Sequence, residues 1–352
     1  MRIPSFRREV CAVLAAALLA SCANGASSGA LVPATGGVTL SNSPAARATH
    51  TVLFVVMNGQ AGIGFYGVDI FSWPALKLVG TLSGFNDALG GACSDAKGNV
   101  YVIVSGYTAS QPPVIEEYSQ QGKLLNTYTD SDGIPSSCAV NPTNGDLAVA
   151  NFLGDGSCGY SCYYPGNLVI YSSSSSTPKV LTNSTEQNYQ YPAYDPNGHL
   201  WETGVDIYRT AQLYSCRKAH CKAIAFSGGT IHFPAGLQWA KTFKTWIIFD
   251  SACNRPNHNN GACSYLVSNQ GALTSKTTYS TYKGGATCNI GEAVLTPNEE
   301  QVVSGDAEVG CGYTSSTVDV WGYPAGGDPI KDYIFQGSMY ATPTGIAFST
   351  KE

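Results

Sequence analysis

An all-β ring of six four-stranded antiparallel blades, closed by a C-terminal strand, is the fold class this sequence predicts. Three observations predict it: a strand–turn–strand signal that recurs along the chain, a spacing of 45 to 56 residues between copies, and two ends that each hold part of one unit. Composition agrees. Of 352 residues only 12 % are charged, while 39 Gly and 21 Tyr suit short strands joined by tight turns. Beyond residue 22 no periodic run of Ala, Leu, Glu and Lys marks a long helix.

The chain begins with MRIPSFRREVCAVLAAALLASC, which reads as an export signal over residues 1–21. Arg2, Arg7 and Arg8 form a positive start, and Val10 to Ala20 an apolar run too short to span a bilayer comfortably. Leu19-Ala20-Ser21-Cys22 resembles a bacterial lipobox, so Cys22 is the expected lipidation site and the membrane a partner through that anchor. Ala23 after the Cys favours the outer membrane. Residues 22–50 are small, polar and without period, and read as a flexible tether leading to a propeller domain over 51–352.

The recurring signal comes next. GACSDAKGNVYVIVSG (91–106), SCAVNPTNGDLAVANF (137–152) and PAYDPNGHLWETGVD (192–206) each give a strand, a turn rich in Asp, Asn, Gly or Pro, and a second strand. Such turns need positive φ or a side chain that bonds back to the backbone. AGLQWAKTFKTWIIFDS (235–251) and IGEAVLTPNEEQVVSGD (290–306) are degenerate copies. After the turn the strands should alternate inward and outward, as half-buried strands do. Two further strand-like pieces follow each copy, so the unit has four strands. With Phe54, Tyr101, Ala148, Trp201, Trp246 and Val302 as equivalent points, the steps are 47, 47, 53, 45 and 56 residues. Six blades result; a seventh requires one long copy to hide a diverged blade. TVLFVVMNG (51–59) lacks a first strand, and ATPTGIAFSTKE at the C-terminus supplies one. Gly345 to Ser349 should therefore pair beside Val52 to Met57 and seal the ring.

Setting aside Cys11 and Cys22, ten cysteines remain, an even number that in an exported chain points to disulfides. Short spacings suggest Cys158–Cys162, Cys216–Cys221 and Cys253–Cys263, leaving Cys93–Cys138 and Cys288–Cys311 as the remaining pairs. A thiolate zinc site is the rival reading, against which stands the lack of a paired CxxC set.

The runs GACSDAKGNVYV, SCAVNPTNGDLAV and PAYDPNGHLW, with PTGIAF at the close, resemble the NHL and SMP-30/gluconolactonase group of six-bladed propellers over residues 51–352. Propellers of that group include sensors, scaffolds, lyases and lactonases. Its lactonases hold a divalent metal in the central channel with a Glu, an Asn and an Asp. Glu292, Asn151 and Asp250 or Asp206 are residues of those types here. The group's Glu lies near the start of the first blade, where this chain has Met57-Asn58.

On a propeller, loops before first strands and after second strands share one face. Asn58, Tyr107, Asn151, Asp206, Asp250 and Asp306 follow second strands; Tyr191, His232, Asn289 and Glu292 lie in or near the other set. These types can bind Ca²⁺ or another divalent cation, or a polar small molecule, and they also serve as turn and capping residues. His232 is the histidine placed to face the channel. YTDSDGIPSS (128–137) holds only the first half of a calcium loop. The chain's formal charge is −5; residues 1–21 carry three Arg and one Glu, so their removal gives −7. A mildly acidic chain without a Lys/Arg cluster argues against a nucleic-acid partner. No HExxH or phosphate loop occurs, and within residues 51–352 no GxSxG. The expected function is a lipid-anchored envelope module that binds or scaffolds a protein or small polar ligand; a metal-dependent lactonase or lyase is the alternative.

Overall fold

A computed structural model describes residues 39–40, 51–59, 66–105, 112–154, 165–175, 177–183, 186–206, 208–217, 220–253, 261–280, 287, 290–307, 315–335 and 342–351. The chain forms six antiparallel sheets. The first contains β1 (Thr39–Leu40), β2 (Thr51–Asn58), β3 (Tyr66–Ser72) and β4 (Lys77–Ser83). The second is β5 (Leu89–Ser94), β6 (Val100–Val104), β7 (Val114–Tyr118) and β8 (Leu124–Thr129), and the third β9 (Gly133–Val140), β10 (Leu147–Gly154), β11 (Asn167–Tyr171) and β12 (Lys179–Leu181). The fourth comprises β13 (Glu186–Tyr194), β14 (Leu200–Asp206), β15 (Ala211–Arg217) and β16 (His220–Ile224). The fifth is β17 (Pro234–Ala240), β18 (Thr245–Asp250), β19 (Ala262–Val267) and β20 (Leu273–Tyr279), and the sixth β21 (Ile290–Leu295), β22 (Gln301–Asp306), β23 (Thr317–Gly322) and β24 (Lys331–Ile334).

The last strand, β25 (Thr342–Thr350), joins the first sheet beside β2, pairing Val52 with Ser349 and Val56 with Gly345. That is the expected seal between tail and head. The inner strands β25, β5, β9, β13, β17 and β21 then adjoin one another in sequence and close a ring. The six points taken as equivalent all fall on second strands. Within the segment read as a tether, β1 lies along β4 and widens the first sheet to five strands.

Half-buried alternation gives way to something denser. In β2, Val52, Phe54 and Val56 pack with Ala92, Val100 and Val102 of the second blade, while Leu53, Val55 and Met57 pack with Val303, Val318 and Val320 of the sixth. Each sheet is covered on both faces by its neighbours, so its central strands read as continuous apolar runs. Six apolar clusters result, one at each junction between blades.

The turn that opens each copy has a common chemistry. Asp195 Oδ1 accepts the backbone N–H of Asn197 and His199 at 2.8 and 2.9 Å, and Gly198 sits at φ 78°, where a side chain is strained. Asp95 does the same for Lys97 and Asn99 at 2.9 and 2.8 Å. The fifth copy, AKTFKT, has no Asp. Its two turn N–H groups, from Lys241 and Thr242, donate instead to the Glu299 carboxylate of the sixth blade at 2.5 and 2.7 Å. The degenerate turn thus borrows its acceptor from the next blade.

Candidate functional site at the propeller axis

Every inner strand carries a register shift at one equivalent place. The irregularities fall at Gly90–Gly91, Ser136, Gln190, Ala235, Gly291–Glu292 and Thr344. A bulge kinks its strand and re-aims the following side chain. The aligned positions are Gly91, Ser137, Tyr191, Gly236, Glu292 and Gly345, one per blade. Three are glycines, and at each a Cβ would strike neighbouring atoms: at Gly236 it would run into Ala293 O, at Gly345 it would lie 2.6 Å from Gly91 Cα, and at Gly91 2.9 Å from Glu292 Oε2. The glycines let the inner strands close in and leave room for the longer side chains of this ring.

Glu292 occupies that room. Its Oε2 accepts from Ala92 N of β5 at 3.3 Å, its Oε1 accepts from Ser137 Oγ of β9 at 3.1 Å, and its carboxylate accepts the Ile346 N–H of β25. One buried carboxyl from the sixth blade therefore ties down inner strands of the first, second and third. Burial pushes its pKa up to about 7, and the three hydrogen bonds pull the other way. Tyr191, from the fourth blade, is its electrostatic neighbour; burial first, and the Glu292 charge second, hold the phenol well above its ordinary range.

The residues that follow second strands behave as latches. Asn58 Oδ1 accepts the Leu89 N–H at 2.7 Å, and its Nδ2 donates to Leu89 O and to Thr344 Oγ1, so it joins β2, β5 and β25. The buried Asp250 accepts from His232 N, Phe233 N and Ala252 N, each at 3.0 Å. His232 thus contributes its backbone to this latch. Asp206 accepts from Tyr208 N, Thr210 N and Gln212 Nε2 at 2.8, 2.9 and 2.8 Å. Asp306 is fully buried at the end of β22. Asn151 Nδ2 donates to Asp130 Oδ2 at 3.2 Å and to Asn167 Oδ1 at 2.8 Å. Burial raises the Asp130 pKa to about 6, against the bonds from Asp132 N and Asn151. Capping chemistry, weighed against ligand binding from the sequence, accounts for most of these positions.

The structure brings Glu292 and Tyr191 together on the axis and leaves Asn58, Asn151, Asp206 and Asp250 in separate hydrogen-bond sets. Tyr107 and Asn289 lie outside the described residues, as do the signal, Cys22 and the pairs Cys158–Cys162 and Cys288–Cys311. Cys93–Cys138, Cys216–Cys221 and Cys253–Cys263 form the expected disulfides. Among the described residues no three His, Cys, Asp or Glu side chains gather to hold a metal ion. Sequence reasoning missed Ser137 and the ring glycines. Aligning the copies four columns upstream of the conspicuous turn residue would have placed all six ring positions in register.

No family model matches the chain, and no curated protein matches it. Solved structures do. A chain of a nidogen/laminin complex is 11 % identical, with TM-score 0.62, over 86 % of this chain and 99 % of that one. A protein of unknown function from Bacteroides caccae is 12 % identical, with TM-score 0.57, over 86 % and 99 %. TolB from Acinetobacter baumannii is 14 % identical, with TM-score 0.59, over 85 % and 67 %. At these identities the likeness lies in the fold: a six-bladed β-propeller.

Proposed function

We propose that this chain is a lipid-anchored β-propeller of the NHL/SMP-30 type that serves the bacterial envelope as a binding or scaffold module for a protein or a small polar ligand. The observation that carries the reading is the bonding of Glu292. Its two oxygens accept from Ala92, Ser137 and Ile346, so the axial carboxylate is committed to holding three blades together. A frame whose axial carboxyl is satisfied internally presents its faces and rims to partners. The likeness to a chain crystallised in a nidogen/laminin complex is in keeping with a propeller that meets other proteins.

The lactonase or lyase alternative draws on Glu292, because a carboxyl near 7 suits proton transfer at neutral pH. Against it, Glu292, Asn151 and Asp250 bond three sets of residues that share no member. Two measurements test the proposal in cells. Labelled palmitate should be incorporated into the parent and not into Cys22→Ala. A photo-crosslinking residue at Tyr208, which is 80 % exposed beside the Asp206 latch, should capture a discrete envelope partner. Metal-dependent lactone hydrolysis by the purified protein, abolished in Glu292→Gln, would overturn the reading.

A further inference from the structure

The chain is acidic overall, yet CRKAHCK (216–222) gathers Arg217, Lys218, His220 and Lys222 in one run, and the β15–β16 hairpin sets three of them on one face. In this hairpin Arg217 pairs directly with His220, and Ser215 with Lys222. Directly paired residues share a face of a sheet, as do residues two apart along a strand. Arg217, His220 and Lys222 therefore stand on one face of the fourth blade, together with Trp201, which pairs with Ser215 from β14. That face looks toward the fifth blade, since Trp201, Leu213 and Ile224 pack in the cluster shared with Trp246 and Ile248. Cys216 and Cys221, one residue out of phase, face the third blade instead and cross-link the hairpin from behind.

Arg217 and Lys222, two fixed cations on one face, are diagonal neighbours across the hairpin and repel one another. Among the described residues the one ion pair is His199 with Asp195, and Arg217, His220 and Lys222 have no carboxylate partner. They border a groove of about 440 Å³ between the outer edge of the fourth blade and the β19–β20 turn of the fifth. Trp201 and Ile224 supply its apolar wall, and Asn269 its far side. The Asn269 Oδ1 already accepts the Trp246 N–H at 3.0 Å, which leaves Nδ2 as a donor. Volume in this range suits a small ligand.

We infer that this groove binds a phosphate monoester. Arg217 and Lys222 bring two fixed positive charges, which match a dianion, and His220 and Asn269 add directional donors. The apolar wall suits an organic body attached to that phosphate. The site is distinct from the axis and stands whether or not the envelope-module reading holds. A free phosphorylated solute and a phosphate-bearing lipid headgroup share this chemistry.

The test is calorimetric titration of the full chain with inorganic phosphate, phenyl phosphate and dihexanoyl phosphatidic acid below its micelle concentration. Phenyl phosphate should bind, more tightly than inorganic phosphate, and weaken as salt is raised. Arg217→Ala/Lys222→Ala should lose at least ~10-fold in affinity while still melting cooperatively, and Lys222→Glu should lose more. Tighter binding of the lipid than of phenyl phosphate would assign the source to a headgroup, and the reverse to a soluble ester. Absence of binding by both organic phosphates, or equal binding by the double variant, would overturn the site.

Discussion

The axis and the rim of this propeller treat charge in opposite ways. On the axis Glu292 is buried, and its oxygens accept bonds from the first, second and third blades. On the rim between the fourth and fifth blades, Arg217, His220 and Lys222 are exposed and have no carboxylate partner among the described residues. A polar group saturated by the chain's own donors serves the frame, whereas two cations around a groove, with no carboxylate partner among the described residues, suit a ligand of opposite sign. The difference teaches where to look for function in a fold whose central residues resemble a site.

The comparison breaks most completely if the axis is cut. Ending the chain before β25 removes the inner strand of the first blade, the Ile346 N–H that Glu292 accepts and the Gly345–Gly91 contact. The inner edge of β2 would be left unpaired. We expect no cooperative thermal transition by circular dichroism in a chain ending at residue 341, against a single transition in the parent. A truncated chain that still melts cooperatively would show that the seal is dispensable.

Glu292 sharpens the comparison by its response to pH. Its folded pKa is raised to about 7 from 4.5, so the folded state favours the protonated form. Stability is therefore full below about pH 4.5, falls as pH rises toward 7 and is level above it, a loss of roughly 3 kcal/mol. Asp130, raised to about 6 from 3.8, adds a fall of the same sign over a lower window. Glu292→Gln keeps an acceptor for the Ala92 and Ile346 N–H groups and a donor for Ser137 Oγ. It should be about 3 kcal/mol more stable than the parent at pH 8, similar at pH 4.5, and keep the Asp130 slope. Denaturant melts across that range check this, and a variant less stable at pH 8 would mean that the carboxylate form is the one the axis needs.

The ring was legible because its repeats are written in turn chemistry: Asp195-Pro-Asn-Gly198 carries the same signal as Asp95-Ala-Lys-Gly98, and the tail's GIAFS matches a first strand in need of a partner. The axial ring was half legible. Tyr191 and Glu292 stood out as polar residues, but their neighbours at the same level are Gly91, Gly236 and Gly345, whose contribution is the absence of a side chain. The latches were legible as residue types and not as roles, since Asp250 looks alike whether it binds a metal or three backbone N–H groups. The rim site was legible as a basic run, CRKAHCK, and not as a shared face. Arg217 and Lys222 are five positions apart, and only the hairpin register sets them on one face.

A smaller effect follows from the cross-link behind that face. Cys216 and Cys221 close a loop of six residues, so Cys216→Ser/Cys221→Ser should cost about 2 kcal/mol by loop entropy. The hairpin should remain, because β15 and β16 pair through five residues each and their buried members pack against the third and fifth blades. Phenyl phosphate affinity should drop severalfold as Arg217 and His220 gain freedom, which separates positioning from charge. An unchanged affinity would mean that the groove is held by blade packing alone.

The smallest expected change in stability comes from the rim charges themselves, and its sign is informative. Arg217→Ala/Lys222→Ala removes two exposed cations that have no carboxylate partner among the described residues. Surface substitutions of this kind move stability by less than about 0.5 kcal/mol. Here relief of like-charge repulsion opposes the loss of the side-chain stems that cover the groove wall. If repulsion dominates, the double variant is slightly more stable than the parent at low salt, and the gain vanishes as salt screens the charges. Adding phenyl phosphate should then raise the melting temperature of the parent and leave the variant unmoved, since a ligand stabilises only the form that binds it. A parent whose melting temperature ignores both salt and phosphate would place the hairpin charges with ordinary solvated surface.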